Sequence, residues 1–308
     1  MNEKSYKVVS FYKFSNLIHS NIETFREIYL NKYINKDIKG IVLLSEEGIN
    51  GTICGQKNIV EDFISKIRIL VSSPNINHKT SWSENQIFKK LKIRIKKEII
   101  TIGNQYIKPI NNTGEYVKPE DWNNYLLDKN TLVVDTRNNY EISIGTFRNS
   151  INPNTRTFTA FPKWLDKELI PLIRRERPKR IAMFCTGGIR CEKATSLLKD
   201  KGFQNVYHLE GGILKYLEEV PEANSLWEGE CFVFDKRVSL NHSLEKGNYI
   251  LCYACGMPLC EEEIKGKDYI KGVQCYHCKN KYTDQDRYRF KERQKQLDKI
   301  KQEKEDFS

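Results

Sequence analysis

Nine cysteines occur among the 308 residues, and two groupings of them could do chemistry. The first is Phe184-Cys185-Thr186-Gly187-Gly188-Ile189-Arg190-Cys191, set between an apolar strand-like run and a helix-like one. Glycines at 187 and 188 let successive backbone N–H groups converge on one point, the start of a helix adds positive potential, and Arg190 adds a fixed charge. A thiol at Cys185 among such donors has a lowered pKa and is a good nucleophile. An anionic adduct on its sulfur, such as a persulfide, would be cradled by the same loop, Thr186, Gly187, Gly188 and Ile189. Cysteine phosphatases use C-x5-R to wrap a tetrahedral phosphate. Cys185 to Arg190 is C-x4-R, one residue shorter. Cys191 is a candidate resolving thiol for an intermediate at Cys185, and equally a small residue in the helix it opens.

The second grouping is Cys252-x2-Cys255 and Cys275-x2-Cys278, separated by 19 residues. That spacing fits a zinc ribbon, with each pair on a tight knuckle giving two thiolates to one tetrahedron. Four thiolates leave no open coordination position, so the expected zinc is structural. Cys260 and His277 are weaker substitute ligands, and Cys231 reads as packing.

These residues need elements to hold them. To about residue 105 the chain reads β-α-β-α-β, the first domain (1–105). Lys7–Tyr12 and Gly40–Leu44 are strand-like, with a turn over Glu46–Gly51. Ile22, Phe25, Ile28 and Tyr29, then Val60, Phe63, Ile64 and Ile67, recur at helical spacing. Residues 88–97 alternate Leu91, Ile93 and Ile95 with Lys90, Lys92, Arg94 and Lys96, a half-buried strand with a basic outer face. After a connector punctuated by Pro109, Gly114 and Pro119, a second domain (120–222) carries the runs Thr131–Asp135, Arg180–Phe184 and Asn205–Leu209. Helices separate them, one showing Ala194, Leu197 and Leu198 on a single face and ending at Gly202. Short links between alternating β and α elements predict a doubly wound parallel sheet. A Cys-rich module (228–283) follows, then a charged tail (284–308) expected to form one exposed helix over Asp286–Glu305.

Composition narrows the classes. With 39% hydrophobic residues the chain can build cores, and 51 Lys plus Arg against 40 Asp plus Glu gives a formal charge of +11, favouring a polyanionic partner. No apolar run approaches a membrane span, and Met1–Tyr6 carries no signal-peptide block. Clustered, odd-numbered cysteines argue against a disulfide framework and for the cytosol. Three basic stretches could meet phosphates: Lys89–Lys97, Arg174–Arg180, and Arg287–Lys295 with Tyr288 and Phe290 interleaved. Phe158, Phe161 and Trp164 are either stacking groups or, more commonly, core.

Asp135-Thr136-Arg137, the Cys185–Ala194 segment and Leu209-Glu210-Gly211-Gly212-Ile213 together resemble a rhodanese domain. Adding Glu47-Gly48-Ile49-Asn50-Gly51-Thr52 and Gly229-Glu230-Cys231-Phe232-Val233-Phe234-Asp235, the whole chain resembles the bacterial tRNA uridine hydroxylase family. The resemblance implies an acylphosphatase/ferredoxin-like α+β N-terminal domain ahead of the rhodanese domain, although no acylphosphatase arginine loop is present. It implies an oxidoreductase that forms 5-hydroxyuridine at the wobble uridine (U34) of tRNA with O2 as co-substrate. The anticodon loop would be its partner, without an obligate protein partner. It assigns Cys185 as the site of a persulfide-type intermediate and Arg190 as part of its cradle.

Oxygen activation itself has no sequence signature. There is no G-x-G-x-x-G fingerprint for flavin or nicotinamide, so the redox cofactor is unassigned. His208-Leu209-Glu210 has the spacing of part of an iron triad but sits where a core histidine is expected. Two alternatives use the same loop: a rhodanese-type sulfurtransferase working through a Cys185 persulfide, and a non-catalytic tRNA-binding protein.

Overall fold

The computed structural model describes residues 6–305. Residues 1–5 and 306–308 lie outside the described residues. The chain divides into two compact units, the first running to Cys231 with His242–Leu244, the second holding Phe232–Asn241 and the chain from Glu245.

The N-terminal domain of the first unit is built on β1 (Tyr6–Phe14), α1 (His19–Tyr33), β2 (Ile38–Ser45), β3 (Gly48–Gly55), α2 (Lys57–Leu70), β4 (Asn77–Ser83) and β5 (Leu91–Ile95). The sheet order is β4-β1-β3-β2-β5. Every pairing is antiparallel except β2 with β5. The helical periods place Ile22, Phe25, Val60, Phe63, Ile64 and Ile67 in one core with Val42 and Leu44. Ile28 is the exception, 51% exposed on the far side of α1.

Two expectations change here. Glu46–Gly51 is not all turn: Glu46 and Glu47 alone link a tight hairpin, and Gly48 begins β3, which lies between β1 and β2 at the centre of the sheet. Gly48 holds φ +138°, and a Cβ there would meet the Lys13 carbonyl oxygen at 2.1 Å, so glycine is required for β1 to approach. The edge strand β4 was not foreseen, because its polar sequence has no apolar alternation to mark it.

The rhodanese domain contains β6 (Glu115–Val117), α3 (Pro119–Leu127), β7 (Thr131–Asp135), α4 (Asn139–Ile142), β8 (Gly145–Phe147), α5 (Ile170–Glu176), β9 (Arg180–Phe184), α6 (Ile189–Asp200), β10 (Val206–Leu209) and α7 (Gly212–Glu219). Its sheet runs β6-β10-β9-β7, all parallel. One face packs Ala194, Leu197 and Leu198 of α6 against Leu165, Leu169 and Ile173. The other packs Ile213, Tyr216 and Leu217 of α7 against Trp122. Both faces are therefore covered, as a parallel sheet requires. Phe158, Phe161 and Trp164 are at most 7% exposed within the first of these cores, which removes them as stacking groups.

The sequence gives α6 one apolar face, yet every residue from Arg190 to Leu198 is buried. The N-terminal domain covers what would have been its solvent side. Lys193 is fully buried, and its Nζ lies 2.9 Å from Glu47 Oε2 and 2.5 Å from Glu98 Oε2. The carboxylates are themselves fixed: Glu47 accepts the Ile99 N–H at 2.5 Å, and Glu98 accepts those of Ile102 and Gly103 at 3.1 and 3.0 Å. A buried ammonium with two carboxylates cannot lose one partner cheaply. Lys193→Met should lower stability by about 3 kcal/mol or more, read as a lowered denaturation midpoint, since it strands two carboxylates in a water-poor interface.

Candidate active site

Asp135 at the end of β7 pairs with Phe184 at the end of β9, so Thr136-Arg137 and Cys185 leave the sheet side by side. Ligand sites of parallel sheets form at such carboxyl ends. Thr136 donates its N–H to the Phe184 carbonyl at 2.9 Å, tying the two exits together. The loop from Cys185 turns at Gly188, φ +98°, directly into α6. Its carbonyls are capped from below, because Ile213 and Leu214 of α7 donate to Cys185 and Thr186 at 2.9 and 3.1 Å. Gly212 must be glycine here: a Cβ would stand 2.4 Å from the Cys185 oxygen. With the carbonyls held outward, the amides turn in, and the Gly188 N–H donates to Cys185 Sγ at 3.1 Å.

Cys185 is 1% exposed. Burial pushes its thiol up, but hydrogen bonding from the Cys191 thiol, the Arg190 charge and the Cys191 and Gly188 amides outweigh it, bringing the thiol down to about 6. Cys191, also buried, moves the opposite way: burial and the neighbouring Cys185 push it well up, and Thr136 Oγ1 lies 3.5 Å from its sulfur. The pair thus sets a thiol of lowered pKa beside one of raised pKa.

Arg190 is not a free cation. Glu141 holds it through both nitrogens at 2.6 and 2.7 Å, and its longer contact at 3.4 Å reaches Thr186 Oγ1. Sequence reasoning missed Glu141, although Asn138 and Glu141 form a capping box on α4 whose spacing is readable. It also gave no role to Asp135 and Arg137, a fully buried pair at 2.6 Å that fixes the neighbouring turn with Thr146 and the Gly145 carbonyl. Cys231 packs nearby, its buried thiol pushed up to about 12, which suits the packing role read for it.

In the second unit the sulfurs of Cys252, Cys255, Cys275 and Cys278 all lie within 4.8 Å of one another. The Cys252–Cys278, Cys255–Cys275 and Cys275–Cys278 separations are 4.0, 3.7 and 3.7 Å. A zinc–thiolate tetrahedron with bonds of about 2.3 Å has edges of about 3.8 Å, so the donor set fits that ion. Cys260 and His277 lie outside the cluster: Cys260 caps the helix Glu261–Lys265, and His277 meets Glu263 at 2.9 Å.

Comparison with known proteins gives two domain matches, a UPF0176 acylphosphatase-like domain over residues 6–99 and a rhodanese-like domain over 119–219. A tRNA uridine(34) hydroxylase of Prochlorococcus marinus strain MIT 9515 is 49% identical over 308 residues, covering 100% of this chain and 99% of the relative. That of strain NATL2A is 52% identical over 295 residues, covering 96% and 92%. The chain belongs to the tRNA uridine(34) hydroxylase family. Among solved structures, a rhodanese-related protein from Thermoplasma volcanium is 28% identical with TM-score 0.28, covering 34% of this chain and 93% of that one.

Within this hydroxylase-family chain, His208 is buried with neither ring nitrogen partnered, its ring edge-on to Tyr116 at 4.3 Å. Burial alone lowers it to about 3, Glu210 is taken by Lys215 at 2.5 Å, and among the described residues neither belongs to a cluster of metal-ligating side chains. No helix among the described residues is long and apolar enough to cross a membrane.

Because Cys185 is held down to about 6, its thiolate should persist through neutral pH and be lost only as pH falls through that value. Thiolate ultraviolet absorbance of the protein minus that of Cys185→Ala checks this. An ordinary midpoint, about 8.5, would show that the cradle does not activate the sulfur.

Proposed function

We propose that this chain hydroxylates the wobble uridine, U34, of tRNA to 5-hydroxyuridine, with O2 as the oxygen source and Cys185 as the reacting thiol. The observation that carries this reading is 49% identity to a relative named for the activity, from end to end. The thiol loop supports the part given to the cysteine. Arg190 and the loop from Thr186 to Ile189 hold negative charge on its sulfur, whether thiolate or persulfide, and Cys191 stands ready as the proton-bearing second thiol.

Substrate contact would fall to exposed cations. Arg94 and Lys96 at the end of β5, and Arg174, Arg175 and Arg177 at the end of α5, face solvent. The third basic stretch is less available: Arg287 donates to the Lys279 and Tyr282 carbonyls and to Gln274, while Arg289 and Lys295 pair with Asp286 and Glu292. The Arg287 bonds fasten the helix Asp284–Glu305 onto the Cys-rich module, the other two pairs lie within the helix, and Phe290 packs against Tyr282 at 5.1 Å. Tyr288 alone of the interleaved aromatics is exposed, at 66%. The module would hold one structural zinc on Cys252, Cys255, Cys275 and Cys278, and the chain would work in the cytoplasm, where tRNA is processed.

A rhodanese-type sulfurtransferase is the second reading, favoured by the rhodanese-like match over 119–219. Nucleoside mass spectrometry of tRNA from cells lacking the gene separates the two. Wild type should restore a uridine carrying one extra oxygen, in air only, and Cys185→Ala should not. Restoration of a thiolated nucleoside instead would select the second reading. Metal analysis should find one zinc per chain, and stripping it with a chelator should unfold the second unit, seen as new protease sensitivity there.

A further inference from the structure

In each C-x2-C pair of the second unit the two sulfurs turn toward a common point, and the first residue between them is a tyrosine. Tyr253 follows Cys252 and Tyr276 follows Cys275, and each is 63% exposed. The turns that carry them are closely held. Ile250–Leu251 pairs antiparallel with Pro258–Leu259, the Cys252 N–H donates to the Met257 carbonyl at 2.8 Å, and Gly256, φ +81°, donates back to the Cys252 carbonyl at 2.8 Å. Arg293 donates to the Tyr253 carbonyl at 2.8 Å. On the second turn the Cys275 N–H donates to Cys278 Sγ at 3.3 Å, and the Cys278 N–H to the Cys275 carbonyl at 3.0 Å. A module with so small a core gains by packing its aromatic rings, and Tyr269 and Tyr282 do pack against it. Tyr253 and Tyr276 stay outside that core, at equivalent places on two rigid turns. Single exposed aromatics are ordinary, but a repeated placement calls for a ligand.

Charge says what kind of ligand. Residues 249–260, around the first turn, contain no charged side chain, and residues 269–283, around the second, contain Lys271, Lys279 and Lys281 but no Asp or Glu. Lys279 Nζ stands 5.0 Å from the centre of the Tyr276 ring while meeting Asp268 at 2.8 Å, and Lys281 is exposed two residues on. The other residues between the cysteines, Ala254 and His277, add no aliphatic patch on which a protein partner could seat. Open aromatic faces with cations at their side and no carboxylate on the same turns match a nucleobase and its phosphate. We propose that the two cysteine turns form a contact for unpaired nucleotides of RNA, Tyr253 and Tyr276 stacking on bases and Lys279 and Lys281 meeting the adjoining phosphates. This inference rests on the reading of tRNA as the substrate and adds to it a contact in the second unit. A paired stem keeps its bases stacked on one another, so the tyrosines select loop nucleotides, while the lysines serve any phosphate.

The test is the affinity of the full chain for an unmodified tRNA transcript, measured by fluorescence anisotropy across a salt series. Tyr253→Ala and Tyr276→Ala should each weaken binding about fivefold or more with the salt slope unchanged, since stacking releases no counterion. Lys281→Ala should lower that slope by about one. Tyr253→Phe and Tyr276→Phe keep a ring and should bind as wild type does. Binding of a fully paired RNA duplex should not respond to either alanine change. Thermal melts check that the variants stay folded, and both substituted rings are exposed. Wild-type affinity in both alanine variants, or an equal loss on the paired duplex, would overturn the inference. If wild type still restores the oxygen-bearing uridine in cells, the hydroxylase reading survives that result. A wild-type chain that neither binds the transcript nor restores the nucleoside would overturn the hydroxylase reading itself.

Discussion

Negative charge on the sulfur of Cys185, which is 1% exposed, would receive almost nothing from water, so the protein must supply all of its stabilisation. Most of the architecture at the end of β9 follows from that demand. The loop amides can turn toward the sulfur only because α7 takes up the loop carbonyls, and α7 can approach only because residue 212 has no side chain. Arg190 brings positive charge but is too mobile and too costly to bury alone. Glu141 fixes it, and the capping box of α4 fixes Glu141. Asp135 and Arg137 form a second closed pair beneath the same turn. Each charge is answered by another until the chain reaches backbone.

The N-terminal domain enters this network at two consecutive residues. Glu192 is bonded to Tyr12 and Lys193 to Glu47 and Glu98, so α6 carries a carboxyl and an ammonium into the interface, the first hydrogen-bonded and the second ion-paired. Such an interface is specific before it is strong. A shift of one helical residue would place each charge against the wrong partner, whereas an apolar contact of similar area would tolerate sliding. This explains why the helix that follows the Cys185 loop is buried on all sides instead of presenting one face to solvent.

The Cys-rich module meets a different constraint. Its core consists chiefly of Cys252, Leu259, Cys275 and Cys278, with a few half-buried neighbours, too little apolar area to order a segment of this length on its own. The proposed zinc tetrahedron, together with the carbonyls that Arg287 and Arg293 gather along the long helix, would substitute for the missing core.

Much of this was legible in the sequence, since periodicity and local spacing are properties of neighbouring residues. The helices over Val60–Ile67 and Ala194–Leu198, the parallel strands, the C-x4-R loop and the paired C-x2-C knuckles all report themselves within a few positions. What the sequence could not give were partners brought together across long separations. Tyr12 and Glu192 are 180 residues apart, and Arg190 and Glu141 are 49 apart, with nothing local in either tyrosine or glutamate to announce the pairing. Phe158, Phe161 and Trp164 could have stacked on a base or filled a core, and only the packing around them decided. The polar strand β4 paired because β1 offered an open edge, not because its own residues demanded a sheet. Sequence determined which groups the candidate site carries, because a thiol and its loop amides are covalent neighbours. Tertiary structure decided the electrostatic setting of that chemistry, because a buried charge is governed by whatever the fold brings within a few ångströms, however distant along the chain.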